Sequence, residues 1–183
     1  MAMNVLGNGL YDADRDEEAF SVFEANLATM RRVGASESNI LAVQTNLAST
    51  YQSLGRIDQA LELEREIYTK RLESLGNLHP ETLIGAICLA NTLSKMRKFD
   101  EVRSFAPDRI AECQRVLGAE HENTLFLRSI YAHALFASDP EQAETILVDV
   151  TRIARRVLGK SHPRALHAES VLEVVHEHCG TSK

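Results

Sequence analysis

The chain has 183 residues, 44% hydrophobic and 25% charged, and a net charge of −6. That balance is ordinary for a globular protein, and its acidic excess argues against nucleic acid or an anionic membrane surface as the partner. No apolar run reaches the length of a membrane span, and Met1-Ala2-Met3-Asn4-Val5-Leu6 lacks the basic start and long apolar core of a secretory leader.

One stretch recurs along the chain. It is Leu75-Gly76-Asn77-Leu78-His79-Pro80-Glu81-Thr82-Leu83, matched from Leu117 to Leu125, from Leu158 to Leu166 and, in worn form, from Val33 to Leu41. Glu37, His79, His121 and His162 follow one another at 42, 42 and 41 residues. A fixed period of this size predicts a solenoid of helical hairpins, each made of helix A, a turn, helix B and a linker.

In chain order, Leu6 to Ala19 aligns without a gap on Leu47 to Ala60, which places Met1 inside the first helix A. Val43, Leu47, Ala48, Tyr51 and Leu54 mark a helix over Leu41 to Leu54, stopped by Gly55. Ala60, Leu61, Leu63, Ile67, Tyr68, Leu72 and Leu75 mark the next helix, Ile57 to Leu75, with Glu66 and Lys70 as an i,i+4 pair. Gly76 closes it and Pro80 opens the following helix. Pro107 lies within Phe99 to Leu117, so a kink near Phe105 is expected. Asp139, Pro140 and Gln142 form a helix start. Ala19, Ala60, Val102 and Ala143 recur early in each helix B, where a small side chain admits helix A closely. Arg164 to His178 is left as a single helix covering the last apolar face. The expected organisation is all-α: units at about 1–34, 35–76, 77–118 and 119–159, a capping helix over 162–178 and a disordered tail over 180–183.

The pattern Leu47-Ala48-x-x-Tyr51-x-x-x-Gly55-Arg56-x-Asp58-x-Ala60, with its Leu-Gly-x-x-His-Pro linkers, resembles the tetratricopeptide repeat in the 42-residue form of kinesin light chains. The resemblance runs from about Leu6 to Val175, with Arg97, Val102 and Glu122 as departures from Gly, Ala and Pro. It implies a right-handed α-solenoid, a concave groove lined by A helices, and a protein-interaction function. By register the groove positions are Asn8, Tyr11 and Asp12; Thr45, Ser49 and Gln52; Asn91, Ser94 and Lys95; His133 and Phe136. Side-chain amides bond both the N–H and the C=O of an extended peptide, and Phe126 with Phe136 suggests an apolar anchor pocket. The plainer reading of the same residues is solvated helix faces. Lys95 stands without the cluster of Lys, Arg and Asn that similar repeats use to clamp a C-terminal carboxylate, which argues against chaperone-tail binding.

Three other features invite chemistry. His79, His121 and His162 lie a whole repeat apart, too far to share a metal, and are expected to cap helices. His176-Glu177-His178-Cys179 reads as a chain end, since neighbours at i and i+2 on a helix diverge. Arg31, Arg32, Lys70, Arg71, Arg115, Arg152, Arg155 and Arg156 crowd the ends of B helices and complement their dipoles; a basic ridge gripping an acidic partner is the alternative. Cys88, Cys113 and Cys179 fit reduced thiols and a cytoplasmic setting. No phosphate loop or nucleophile elbow is present, so neither an enzyme, a cofactor nor a metal is expected. The expected function is an adaptor for a protein or peptide partner. Two alternatives stand beside it: a ligand-sensing domain of a larger signalling protein, and a subunit that stacks on itself through Val5, Leu6 and Leu10.

Overall fold

A computed structural model describes residues 2–180, with side chains described over 2–177. Met1 and residues 181–183 of the expected tail lie outside the described residues, as do the side chains of His178 and Cys179. The described residues form nine helices and no strand: α1 (Ala2–Asp12), α2 (Asp16–Arg32), α3 (Glu37–Ser53), α4 (Ile57–Leu75), α5 (Pro80–Lys95), α6 (Phe99–Val116), α7 (Glu122–Leu135), α8 (Pro140–Val157) and α9 (Pro163–Gly180). Odd-numbered helices are the A helices and even-numbered ones the B helices. None of them is long and apolar enough to cross a membrane. Contacts divide the chain within α4 into two compact units, 1–70 and 71–183.

In the first unit, Ala19, Phe23 and Leu27 of α2 bury against Val43 and Leu47 of α3, with Leu10 and Tyr11 of α1 packed on the same cluster. Fully burying a side chain such as Phe23 contributes about 1.5–3 kcal/mol. α1 reaches α2 closely because Gly7 faces the Phe23 ring. In the second unit, Leu125 packs with Val150, Ile153 and Ala154 of α8 and Ala165 and Ala168 of α9. The expected small-residue column holds: Ala19, Ala60, Val102 and Ala143 are all fully buried.

Local signals explain the helix ends. Tyr51 and Gln52 carbonyls accept from the Arg56 and Gly55 N–H groups at 2.8 and 3.1 Å, closing α3 with a left-handed Gly55 at φ +72°. The Asp139 carboxylate accepts from the Gln142 N–H at 3.0 Å and starts α8. His79, His121 and His162 do cap helices: each Nδ1 accepts the N–H two residues on, from Glu81, Asn123 and Arg164, at 3.2, 3.1 and 3.2 Å. α3 begins four residues before the expected Leu41, because Glu37 already complements the positive end of the helix dipole. Pro107 is exposed on α6, and α6 runs through it from Phe99 to Val116.

The basic residues at the B-helix ends are largely matched by carboxylates. Lys70 pairs with Glu66 at 2.7 Å, Arg71 with Glu81 at 3.3 Å and Arg152 with Asp149 at 2.6 Å; Arg155 pairs with Glu169 and Arg156 with Glu120. His176 pairs with Glu144 at 3.0 Å. Cys113 is buried on α6, and burial pushes its thiol up to about 11.

Candidate functional site

In the first unit the groove positions of α1 meet α3 through side chains. Asn46 donates to the Asn8 Oδ1 at 2.9 Å and to the Asn4 Oδ1 at 3.4 Å, and Asn26 of α2 donates to Asn4 at 3.4 Å. Ser53 donates to the Tyr11 hydroxyl at 3.2 Å. Two of these pairs, Asn4 with Asn46 and Tyr11 with Ser53, are 42 residues apart, one position beyond the 41-residue step that carries Leu6 to Leu47. The other expected residues are engaged within their own hairpin. Thr45 donates to the Leu41 carbonyl at 2.8 Å and Ser49 to the Thr45 carbonyl at 3.3 Å, both within α3. Gln52 donates to Glu64 of α4 at 2.7 Å. Asp12 is exposed at the end of α1.

In the second unit, Ser94 of α5 and the His133 Nδ1 of α7 are 3.2 Å apart. The His133 ring stands edge-on to Phe99 at 5.1 Å. Burial, then the charge of Arg97, lowers the His133 pKa below its ordinary value. Asn91 is half-buried on α5, and Lys95 is exposed one turn later. Phe136 packs on the cluster of Ala132, Leu147, Val171 and Val175. Phe126 belongs to a different group: the Arg164 guanidinium lies 3.4 Å from its ring centre and His167 meets it edge-on at 5.1 Å. Burial, then Arg164, His133 and Lys95 in that order, lowers the His167 pKa.

The structure thus joins Asn8 to α3 and Ser94 to His133, and turns Gln52 toward α4. Asn4, Asn46, Ser53, Arg164 and His167 are residues that sequence reasoning missed. A signal existed for His167: it follows Phe126 by 41 residues, the step that also carries His121 to His162, so extending the register into the last helix would have found it.

Tetratricopeptide-repeat family models match this chain over residues 1–73 and 137–164, together more than half of it. The chain belongs to the tetratricopeptide-repeat family, whose repeats generally serve protein–protein interaction. It is 34% identical over 82 residues to protein kinesin light chain-related 2 of Arabidopsis thaliana, covering 44% of this chain and 12% of that protein. With kinesin light chain-related 3 of the same plant it is 32% identical over 83 residues, covering 45% and 13%. The chain therefore spans about an eighth of the length of the curated relatives it matches. The kinesin-light-chain-type, nearly identical TPR-like repeats of Podosopora anserina superpose with a TM-score of 0.78 at 23% identity, over 99% of this chain and 87% of that one. BtubC (BKLC) of P. vanneervenii gives 0.79 at 16% identity, over 97% and 72%. These structures share the all-α repeat fold.

Proposed function

We propose that the chain is a protein-interaction module that holds an extended segment of a partner against its A helices. The observation that carries this reading is the Asn8–Asn46 pair. The two amides sit side by side at 2.9 Å, leaving the Asn8 N–H groups and the Asn46 Oδ1 without partners among the described residues. A donor beside an acceptor matches the two groups of a peptide backbone. Within the first unit Tyr11, Thr45, Ser49 and Gln52 are further proposed contact positions; within the second, a half-buried Asn91 amide is proposed to contact the partner with Ser94, Lys95, His133 and Phe136.

The test is isothermal titration with a peptide selected from a random display library. Asn8→Ala with Asn46→Ala, and separately Asn91→Ala, is expected to weaken binding about tenfold or more, with melting curves run alongside to control for folding. Unchanged affinity in both would remove the A-helix face as the site. Self-association is a second reading, favoured by Val5 and Leu6 of α1, which are 71% and 56% exposed. Light scattering over a concentration series tests it, and a constant monomer mass would end it.

A further inference from the structure

In the second unit Arg103, Arg109, Arg128, Arg152, Arg155 and Arg156 each meet a carboxylate. Arg164, at the start of α9, does not: among the described residues its guanidinium makes no hydrogen bond and no ion pair. It is half-buried and lies over the Phe126 ring of α7, 3.4 Å from the ring centre. Stacking of this kind covers one face of a guanidinium and leaves its in-plane N–H groups pointing outward. The carboxylate that acts on it, Glu122, stands 3.6 Å from His162. Further cations converge on the same place from the other A helices. Lys95 of α5, His133 of α7 and Arg164 all act on the His167 ring of α9. Arg97, in the turn after α5, acts on His133. Neither ring nitrogen of His167 has a hydrogen-bond partner among the described residues, and its Nε2 is buried. A chain of net charge −6 thus gathers Lys95, Arg97, His133, Arg164 and His167 on one A-helix face, with Glu122 as the carboxylate acting on Arg164.

We propose that this face of the second unit receives a phosphoryl group carried on a serine or threonine of the partner segment. The inference rests on the reading of the A helices as the seat of that segment and adds the chemistry of one contact. A phosphorylated side chain brings three acceptor oxygens and close to two negative charges. The Arg164 fork takes two of the oxygens side by side. Lys95 is exposed on α5 and supplies a point charge for the third, so the group arrives on an extended segment without entering a cavity. Both charges act on His167, which places them around one spot. A carboxylate has two oxygens and one charge, which Arg164 alone would satisfy, leaving the remaining cations unmatched. His133 and His167 stand behind the contact. Their part is electrostatic, since a dianion beside them favours their protonated forms.

The test passes three peptide pools over the immobilised intact chain, each with degenerate flanks around a fixed phosphoserine, serine or aspartate. The phosphoserine pool is expected to be retained about tenfold better than either of the others. A phosphopeptide recovered from it is expected to bind about tenfold more weakly to Arg164→Lys, which keeps the charge and loses the fork. Binding to Lys95→Gln is expected to weaken severalfold. Lys95 is exposed, so this second variant decides the matter if Arg164→Lys fails to fold. NMR of the imidazoles gives a reading that a packing role would not move: the phosphopeptide raises the titration midpoint of His133, and its serine counterpart does not. Equal retention of the aspartate pool, displacement by an equal concentration of inorganic phosphate, or undiminished affinity in Lys95→Gln would overturn the proposal. Equal retention of the serine pool, weakened by Asn91→Ala, would overturn it too, while leaving the peptide reading of the A helices in place.

Discussion

Asp14, Gly55 and Arg97 hold the same turn with three different side chains. Their φ angles are +56°, +72° and +57°. In each case the next residue's N–H reaches back to the helix, Arg15 to Leu10 at 2.9 Å, Arg56 to Tyr51 at 2.8 Å and Lys98 to Leu93 at 2.9 Å. Glycine alone has no Cβ to clash in this left-handed conformation, which disfavours other residues by about 1–2 kcal/mol. Arg97→Gly is therefore expected to stabilise the chain by about 1 kcal/mol, after losing the stacking of Arg97 on Phe99 at 6.0 Å. Urea unfolding measures it; a loss of stability would mean that side-chain contacts outweigh backbone strain. The linker histidines give a second test. His121→Asn keeps a side-chain acceptor for the Asn123 N–H, whereas His121→Ala loses it and is expected to cost about 1 kcal/mol and speed amide exchange at Asn123. Their role was legible in the sequence because a cap needs only local geometry. The engagement of Gln52 with Glu64 was not, because it depends on where a second helix places its carboxylate.

Between elements, the contact of α1 with α2 turns on a single missing atom. A Cβ added at Gly7 would lie 2.4 Å from the Phe23 ring, while one added at Gly9 meets nothing within 4 Å. Phe23 is fully buried and cannot swing aside without disturbing Val43 and Leu47. Gly7→Ala is expected to destabilise by about 1–3 kcal/mol through overpacking. Gly9→Ala is expected to stabilise by about 0.5–1 kcal/mol, because both sites are helical and alanine restricts the unfolded chain. Hydrogen exchange should show α1 opening more readily in the first variant and less readily in the second. Equal effects would mean that propensity, and not the Phe23 contact, governs α1. The helices themselves were legible from period, stop glycines and caps, as the agreement over Ile57–Leu75 shows. The boundary of α3 was less so: its linker lacks the His-Pro signature, and Ser36 makes no side-chain capping bond.

At the scale of the molecule, acid should act on the second unit in two stages. The folded state lowers the proton affinity of His133 and His167, chiefly by burial. Above the ordinary histidine value of about 6.5, both states are neutral and stability is unaffected. As pH falls through that value the unfolded chain takes up protons first, so stability declines until the folded imidazoles also protonate. A further loss belongs to the carboxylate range. The Arg128 hydrogen bond, opposed by burial and aided by Arg152, holds Asp149 below its ordinary value, so its contribution is present above that value and lost as pH falls through the folded one. Melting temperatures measured from pH 7.5 to 5 should fall, and His167→Gln should flatten the slope. A slope unchanged in that variant would place the titrating group elsewhere.

What the sequence determined by itself is the repeat. A 42-residue period, stop glycines and a small residue in each helix B specify helical hairpins, because each depends on backbone conformation and side-chain size alone. What only the tertiary structure decided is which polar atoms of those helices remain available. Asn8 and Gln52 are both side-chain amides on A helices, yet the first meets Asn46 of another hairpin and the second Glu64 of its own. Hydrogen bonds form or fail over a few tenths of an ångström between residues dozens of positions apart, and periodicity carries no information at that resolution.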